Sequence, residues 1–243
     1  MECRRCALRF RVPKDDVGSA ASFYEHRYDE GFTTTLPSAA ELHDLLSTRF
    51  AGHEKDYSRY VAVLEACGVR APATVLDFGA SWGYGSWQLR SAGYEVFAYE
   101  LGRTRARYAT ERLGLVMIDD ASQPPRAVDC FFSAHVMEHL ADPNVVWRAA
   151  RSALRRGGVF IAFVPNGNPD LEHAERARYH RLWGNVHPLL ITPRHLLAMA
   201  QRYGFGARVY SSPYPLARMS ARAHGIDLLG AELAVVARAA DDE

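Results

Sequence analysis

Apolar residues gather in short runs from residue 73 onward, and these runs alternate with stretches of helical period. The runs at 74–78, 95–99, 115–118, 128–133 and 159–164 read as strands. Helix patterns lie between them near 86–92, 103–113 and 143–154. This alternation predicts parallel strands joined by right-handed crossovers. Gly157-Gly158 supplies a turn into the fifth strand. An insert rich in charge and histidine follows, from 166 to 192. Thr192 and Pro193 then open a helix over 193–203, the threonine as cap and the proline in the first turn. Two last strands, near 207–211 and 232–238, flank a proline-rich segment.

Before residue 73 the pattern is weaker. Residues 1–38 show no sustained period and hold the aromatic group Phe23, Tyr24, Tyr28 and Phe32, so they read as an irregular arm. Ser38 and Glu41 have capping-box spacing ahead of a helix that carries Leu42, Leu45 and Leu46 toward Phe50. A second helix is predicted over 53–67, with Tyr57, Tyr60, Val61 and Leu64 on one face and Gly68 as its stop. The chain divides into an arm with helices, 1–70, and an α/β domain, 71–243, that contains the insert.

The densest signal lies at the first of the α/β strands. Val75-Leu76-Asp77-Phe78-Gly79-Ala80-Ser81-Trp82-Gly83-Tyr84-Gly85 runs from an apolar strand, past an acid, into a glycine-rich turn. Such a turn lets backbone approach a nucleotide-like ligand without Cβ atoms in the way. A pyrophosphate prefers bare N–H groups at a helix start. A carboxylate beside the turn instead suits a ligand with an ammonium or a sulfonium. The second strand ends at Tyr99-Glu100-Leu101, where an acid can accept from both hydroxyls of a ribose. The third ends at Asp119-Asp120-Ala121, which offers an acceptor to an adenine amino group and a backbone N–H to a ring nitrogen. An amine, a ribose and an adenine together describe S-adenosylmethionine. Helix capping is the plain alternative for such acids.

These residues resemble the class I S-adenosylmethionine-dependent methyltransferases. So do Asp129-Cys130-Phe131-Phe132, His135-Val136-Met137-Glu138-His139-Leu140-Ala141-Asp142-Pro143 and Leu154-Arg155-Arg156-Gly157-Gly158, and the likeness covers about residues 60–240. It implies a Rossmann-like, doubly wound α/β sheet of seven strands, mostly parallel with an antiparallel last strand, beside the N-terminal helical arm. The expected cofactor contacts are Asp77, Gly79, Ala80, Gly83, Glu100, Leu101, Asp120 and Ala121. By the resemblance, Gly79 and Gly83 line the methionine moiety, Glu100 the ribose and Asp120 the adenine. S-adenosylhomocysteine would be the product. Ala80-Ser81-Trp82 departs from the usual small residues between the glycines, and Trp82 brings bulk toward that end.

A second group follows the fourth strand: His135, Glu138 and His139, joined by His187 from the insert. It falls at the carboxyl edge, where α/β sheets bind ligands. Spacing i, i+3, i+4 puts the first three on one side of a helical turn. In one reading an imidazole is the general base that takes a proton from an acceptor hydroxyl. In another, the group holds a divalent ion that acidifies the hydroxyl. Methyltransferases that make ubiquinone, and those that cap small RNAs at the 2′-oxygen, carry a similar Glu-x-x-Glu-His metal site, with Glu where His135 stands here. In a third, these side chains merely bridge the turn to the insert. The base reading is carried forward and no metal ligand is assigned.

Asn166 and Tyr24 are the expected acceptor contacts. Asn166 either binds a hydroxyl or forms a turn, and the arm aromatics either cover the pocket or pack the arm. Arg176, Arg178 and Arg181 suit an acidic group on the acceptor or a solvated helix face.

Composition narrows the acceptor. Net charge is +1, which provides no strong field for nucleic acid or anionic lipid, so a small molecule is favoured over nucleic acid. No apolar run approaches the roughly 20 residues of a membrane span. The start Met1-Glu2-Cys3-Arg4-Arg5-Cys6 leads into no apolar core, so no signal peptide is expected. Cys67 and Cys130 fall in elements predicted to be buried, and a reduced, cytoplasmic chain is the natural reading. Cys3-x-x-Cys6 has the spacing of half a zinc ribbon. Residues 6–13 resemble the end of the ribbon that opens some sugar and natural-product methyltransferases. With no second such pair, this start reads as a remnant without zinc. The expectation is an S-adenosylmethionine-dependent O-methyltransferase acting on a sugar or natural-product hydroxyl. A nicotinamide-dependent oxidoreductase and a non-catalytic scaffold are the alternatives, and the oligomeric state is open.

Overall fold

The alternating pattern resolves into one large sheet with helices on both faces. The computed structural model describes residues 1–13, 35–180, 187–219 and 228–239, with the side chains of all but Arg178 and His180. Phe23, Tyr24, Tyr28, Phe32 and Arg181 lie outside these residues. The chain opens with β1 (Arg9–Phe10) and helices α1 (Ala39–Ser47) and α2 (Ser58–Ala66). The α/β unit follows as β2 (Thr74–Phe78), α3 (Tyr84–Ser91), β3 (Glu95–Tyr99), α4 (Arg103–Leu113), β4 (Val116–Met117), β5 (Val128–Ala134), α5 (Asn144–Ala153) and β6 (Leu154–Pro165). The insert holds α6 (Pro169–Ala174), α7 (Arg176–His180) and β7 (Leu189–Leu190). Helix α8 (Pro193–Arg202), β8 (Phe205–Ser211), α9 (Leu216–Met219) and β9 (Glu232–Ala239) complete the order.

The local signals behave as their chemistry demands. Ser38 and Glu41 close a full capping box on α1. Thr192 caps α8 by accepting from His195 N at 3.1 Å. Gly114 ends α4 in the left-handed region, φ 61°. Strand β6 begins at Leu154, opposite Val128, where a glycine turn is expected. A shift of register between Val128 and Cys130 absorbs the added length.

The main sheet runs β4-β3-β2-β5-β6-β9-β8. Strand β9 pairs antiparallel with both β6 and β8, and the other pairings are parallel. This is the Rossmann-like sheet of the expectation, with the last strand in sequence inserted inside the sheet. One consequence reaches the site. Because β9 runs backward, its first residue, Glu232, lies opposite Pro165, the last residue of β6. An acid thus arrives at the carboxyl edge from the start of a strand.

Neighbouring residues of each central strand feed opposite cores, as the two-residue period requires. Phe131 and Phe160 pack with Trp147, Leu196 and Phe205 beneath α5 and α8. Phe132 and Ile161 pack with Tyr60, Leu64 and Leu89 beneath α2 and α3. Trp82 does not crowd the glycine turn. Its side chain is fully buried, against Phe50 and Tyr84 with ring centroids 6.1 and 5.1 Å away. The bulk expected at the methionine end is directed into the helical layer instead.

The arm and the insert build a second, two-stranded sheet that local patterning does not reveal. Strand β1 pairs antiparallel with β7, Arg9 opposite Leu190 and Phe10 opposite Leu189. The Arg9 guanidinium fastens the pair to the insert by donating to Glu172 at 2.8 Å and to the Tyr179 hydroxyl at 2.6 Å. Among the described residues no helix is long and apolar enough to cross a membrane. Replacing Trp82 with Ala leaves a large cavity, and denaturant unfolding should show a loss of about 3–5 kcal/mol.

Candidate active site

The glycine turn lies where the strand order reverses, between β2 and β5, which is where open α/β sheets bind ligands. Gly79 has φ +84°, and a Cβ there would come within 2.3 Å of Val136 Cγ2. Gly83 has φ +91°, and its Cβ would come within 2.4 Å of Leu115 Cδ1. Between them the chain turns on itself. Gly79 N and Ala80 N donate to the Tyr99 carbonyl at 2.8 and 3.0 Å, and Ser81 N donates to Glu100 Oε2 at 3.0 Å. Three successive N–H groups are therefore engaged by β3 and its first flanking residue. They are not free to cradle a pyrophosphate, which counts against a dinucleotide.

The three expected acids occupy different environments. Asp77 is 1% exposed and accepts from Ser86 Oγ at 2.6 Å. Desolvation pushes its pKa up to about 7; the Ser86 bond opposes this and the Glu100 charge adds to it. Asp77 thus lies buried beneath the turn, with no face open to solvent. Glu100 Oε1 accepts from Gly102 N at 2.7 Å and from Arg105 at 3.0 Å, so this acid also organises the start of α4. Asp120 is exposed and accepts from Ser122 N, Ser122 Oγ and Gln123 Nε2 at 2.8, 2.7 and 3.0 Å. The bonds from Ser122 hold its carboxyl below the usual range. None of the three caps a helix by its side chain: α3 and α4 begin at Gly83 and Gly102 without a side-chain cap, and Asp120 closes a turn. Leu101 is 55% exposed beside Glu100, whereas Ala80 and Ala121 are buried.

The second cluster begins where β5 ends. His135 takes a left-handed backbone, φ 55°, and its N–H donates to the Phe163 carbonyl at 2.9 Å. A single 3-10 turn, Met137–His139, then presents Glu138 and His139. Glu138 is 1% exposed. His135 Nδ1 stands 3.3 Å and His139 Nε2 3.9 Å from Glu138 Oε1. The rings of His139 and His187 lie 4.7 Å apart. The four residues expected together are together, yet neither oxygen of Glu138 makes a hydrogen bond among the described residues. A buried carboxylate in that condition is costly unless something compensates it.

Glu232, overlooked in the sequence, completes the arrangement. It is buried and accepts from Tyr60 Oη at 2.8 Å, from Tyr214 Oη at 2.5 Å and from Arg59 at 3.2 Å. His135 Nε2 lies 2.5 Å from the same carboxylate. Desolvation opposes a proton on His135, but Glu138 and Glu232 on either side outweigh it and push the pKa up to about 10. His135 is thus a cationic bridge between two acids near neutral pH. That is a correction to its expectation as a general base, which needs a free lone pair. The only local clue to Glu232 was an acid at the head of an apolar strand.

Asn166 also needs correcting as an acceptor contact. It is fully buried; its Nδ2 donates to the Leu228 and Gly230 carbonyls at 2.8 and 2.6 Å, and its Oδ1 accepts from Asn168 N at 2.9 Å. The amide is committed to joining the β6 loop to the approach of β9. Tyr24 lies outside the described residues. Arg176 and His173 are exposed on the insert.

An antiparallel strand inside a Rossmann-like sheet, an acid-flanked glycine turn with engaged N–H groups and an acid-imidazole cluster beyond β5 define an S-adenosylmethionine-dependent methyltransferase. The chain belongs to the methyltransferase-domain family, whose model matches residues 50–208, more than half its length. S-adenosylmethionine is its cofactor. The match does not reach Cys3 and Cys6 and lends no support to a zinc-ribbon remnant. A search of curated proteins found no match.

Solved structures show the same fold at low identity. One is the putative methyltransferase of Haloferax volcanii in complex with the Trm112 activator: TM-score 0.56, 17% identity, covering 85% of this chain and 99% of that one. An S-adenosylmethionine-dependent methyltransferase from Clostridium acetobutylicum ATCC 824 gives 0.56 and 11%, covering 82% and 97%. A possible histamine N-methyltransferase from Thermotoga maritima gives 0.51 and 16%, covering 81% and 93%.

The state of Asp77 leads to a stability test. Its folded pKa lies above the ordinary carboxyl value, so the unfolded chain ionises first as pH rises. Stability of the unliganded protein should fall from about pH 4 to about pH 7 on this account and level off above. Urea unfolding across that window should show the slope in wild type and a flatter profile in Asp77→Asn.

Proposed function

We propose that this methyltransferase acts on a hydroxyl of a small molecule, of the sugar or natural-product type, with His139 and His187 receiving the acceptor's proton. The observation that carries the reading is the contact between Val136 and Gly79. It sets the loop bearing His135, Glu138 and His139 directly against the turn expected to hold the methionine end. The near-neutral net charge supports a small acceptor over nucleic acid.

Bound S-adenosylmethionine supplies an electrophilic methyl on a cationic sulfur. In this reading the turn from Gly79 to Gly83 and the carboxylate of Glu100 hold and orient it. Much of the acceleration comes from alignment, which can supply about 7–11 kcal/mol. His139 accepts the acceptor proton at an imidazole nitrogen, and Glu138 stabilises the resulting imidazolium across the existing 3.9 Å gap. The His135 bridge keeps Glu138 fixed from its other side.

One observation favours a second reading. Glu138, His139 and His187 offer ligand atoms that all lie within 4.8 Å of one another, and the Glu138 oxygens make no hydrogen bond among the described residues. That donor set suits a divalent cation, which would lower the pKa of an acceptor hydroxyl. Treatment with a chelator separates the two readings: turnover persists if His139 is the base and stops, to be restored by added metal, if an ion is required.

Two substitutions test the proposal itself. His139→Ala should lower turnover by about 10²–10⁴-fold while calorimetry shows unchanged affinity for S-adenosylhomocysteine. Parallel loss of both would point to a structural role. Glu100→Gln keeps the shape but weakens a charge-assisted bond, and should reduce cofactor affinity by roughly 10- to 100-fold. Equal affinity would remove Glu100 from the cofactor contacts.

A further inference from the structure

Arg105 runs against the local rule for its position. It is the third residue of α4, in the first turn, where the helix dipole favours an acid over a cation. That turn carries no acid, and Gly102 before it offers no side-chain cap. A cation placed against the dipole of its own helix needs a partner outside that helix. Here the partner is Glu100, the residue that follows β3. Both side chains are buried, with 7% of Arg105 and 9% of Glu100 exposed. A buried ion pair of this kind gains little net stability, because desolvation offsets much of the attraction. What it does provide is a fixed geometry.

The two oxygens of Glu100 are used unequally. Arg105 Nη2 and Nε both donate to Oε1, at 3.0 and 3.2 Å, and Gly102 N donates to the same oxygen at 2.7 Å. Among the described residues Oε2 accepts from Ser81 N alone, at 3.0 Å. An ionised carboxylate offers about four lone-pair sites, shared equally by its oxygens. Oε1 is therefore saturated, and Oε2 keeps one acceptor position. Oε2 is also the oxygen bonded to the glycine turn. Ser81 takes a left-handed backbone there, φ 52°, which is unfavourable for a residue with a Cβ and is held by this bond.

We propose that Arg105 is a positioning residue for cofactor binding: it occupies Oε1 and fixes the plane of the Glu100 carboxylate, so that Oε2 is kept for a ribose hydroxyl. This role rests on the reading of Glu100 as a cofactor contact, and Arg105 itself touches no ligand in it. The planar guanidinium matters. Two N–H groups of one rigid fork aimed at one oxygen restrain the rotation of the carboxylate, whereas a lysine ammonium is a point charge on a flexible stem. The same carboxylate is tied to the turn through Ser81 N, so the ribose contact and the turn keep a constant spacing.

The test is calorimetry on the full chain with two ligands, S-adenosylhomocysteine and its 2′,3′-dideoxy analogue, which has no ribose hydroxyl to donate. Wild type should prefer the hydroxylated ligand by about 10- to 100-fold, as expected for a hydrogen bond to a charged acceptor. Arg105→Lys should reduce that preference to about threefold or less, by weakening S-adenosylhomocysteine and sparing the analogue. Because Arg105 is buried, a second variant leaves it in place. Gly102 has φ −73°, which any residue adopts, and a Cβ there would come within 2.6 Å of Arg105 Nη2 and 2.9 Å of Glu100 Oε1. Gly102→Ala thus displaces the fork without removing a charge, and should narrow the preference in the same way. Equal weakening of both ligands in these variants, with the preference kept, would make Arg105 a support for α4 only and overturn the proposal. Glu100→Gln is the control. If it loses the preference while Arg105→Lys and Gly102→Ala retain it, Arg105 alone is excluded. If wild type and Glu100→Gln are both indifferent to the hydroxyls, Glu100 is no ribose contact and the role of Arg105 falls with it.

Discussion

Gly79 and Val136 touch where no side chain on residue 79 has room, since a Cβ would sit 2.3 Å from the valine methyl. That contact lets the loops after β2 and β5 close upon each other at the reversal of strand order. Packed interiors do not yield to an extra carbon without shifting backbone. The glycine is thus a geometric requirement that joins the turn after β2 to the acid-imidazole loop. The position of His135, Glu138 and His139 beside the turn depends on that adjacency.

Charge buried around this junction is handled in two ways. Glu232 is fully supported by His135, Tyr60, Tyr214 and Arg59, which makes its burial tolerable. Asp77 and Glu138 are supported less. Asp77 has a single hydroxyl partner, and Glu138 has imidazoles nearby without a hydrogen bond among the described residues. Glu138 instead sits between His135 and His139, and Asp77 lies beneath the glycine turn.

The cover is built from distant parts of the chain. Strand β1 pairs with β7, and Arg9 adds bonds to Glu172 and Tyr179. His187 reaches His139 from the residue just before Pro188, whose carbonyl accepts from Arg11. The N-terminal segment read as an irregular arm therefore supports one side of the site.

Local rules made much of this protein legible from its residues alone. Strand and helix patterns placed β2, β3 and α4 at their observed bounds, since each is a short run bounded by local residue chemistry. Capping chemistry at Ser38 and Thr192 was equally readable, because caps involve residues only a few positions apart. The grouping of His135, Glu138 and His139 followed from their spacing. Glu232 was not legible: it meets His135 across 97 positions, and only an antiparallel strand brings its first residue to the carboxyl edge. The destination of the Trp82 ring, the closed hydrogen bonding of Asn166 and the pairing of β1 with β7 were likewise decided in three dimensions. Sequence specifies which groups exist and their local period; what compensates a buried charge depends on which distant strand lies beside it, and that is a property of the folded chain.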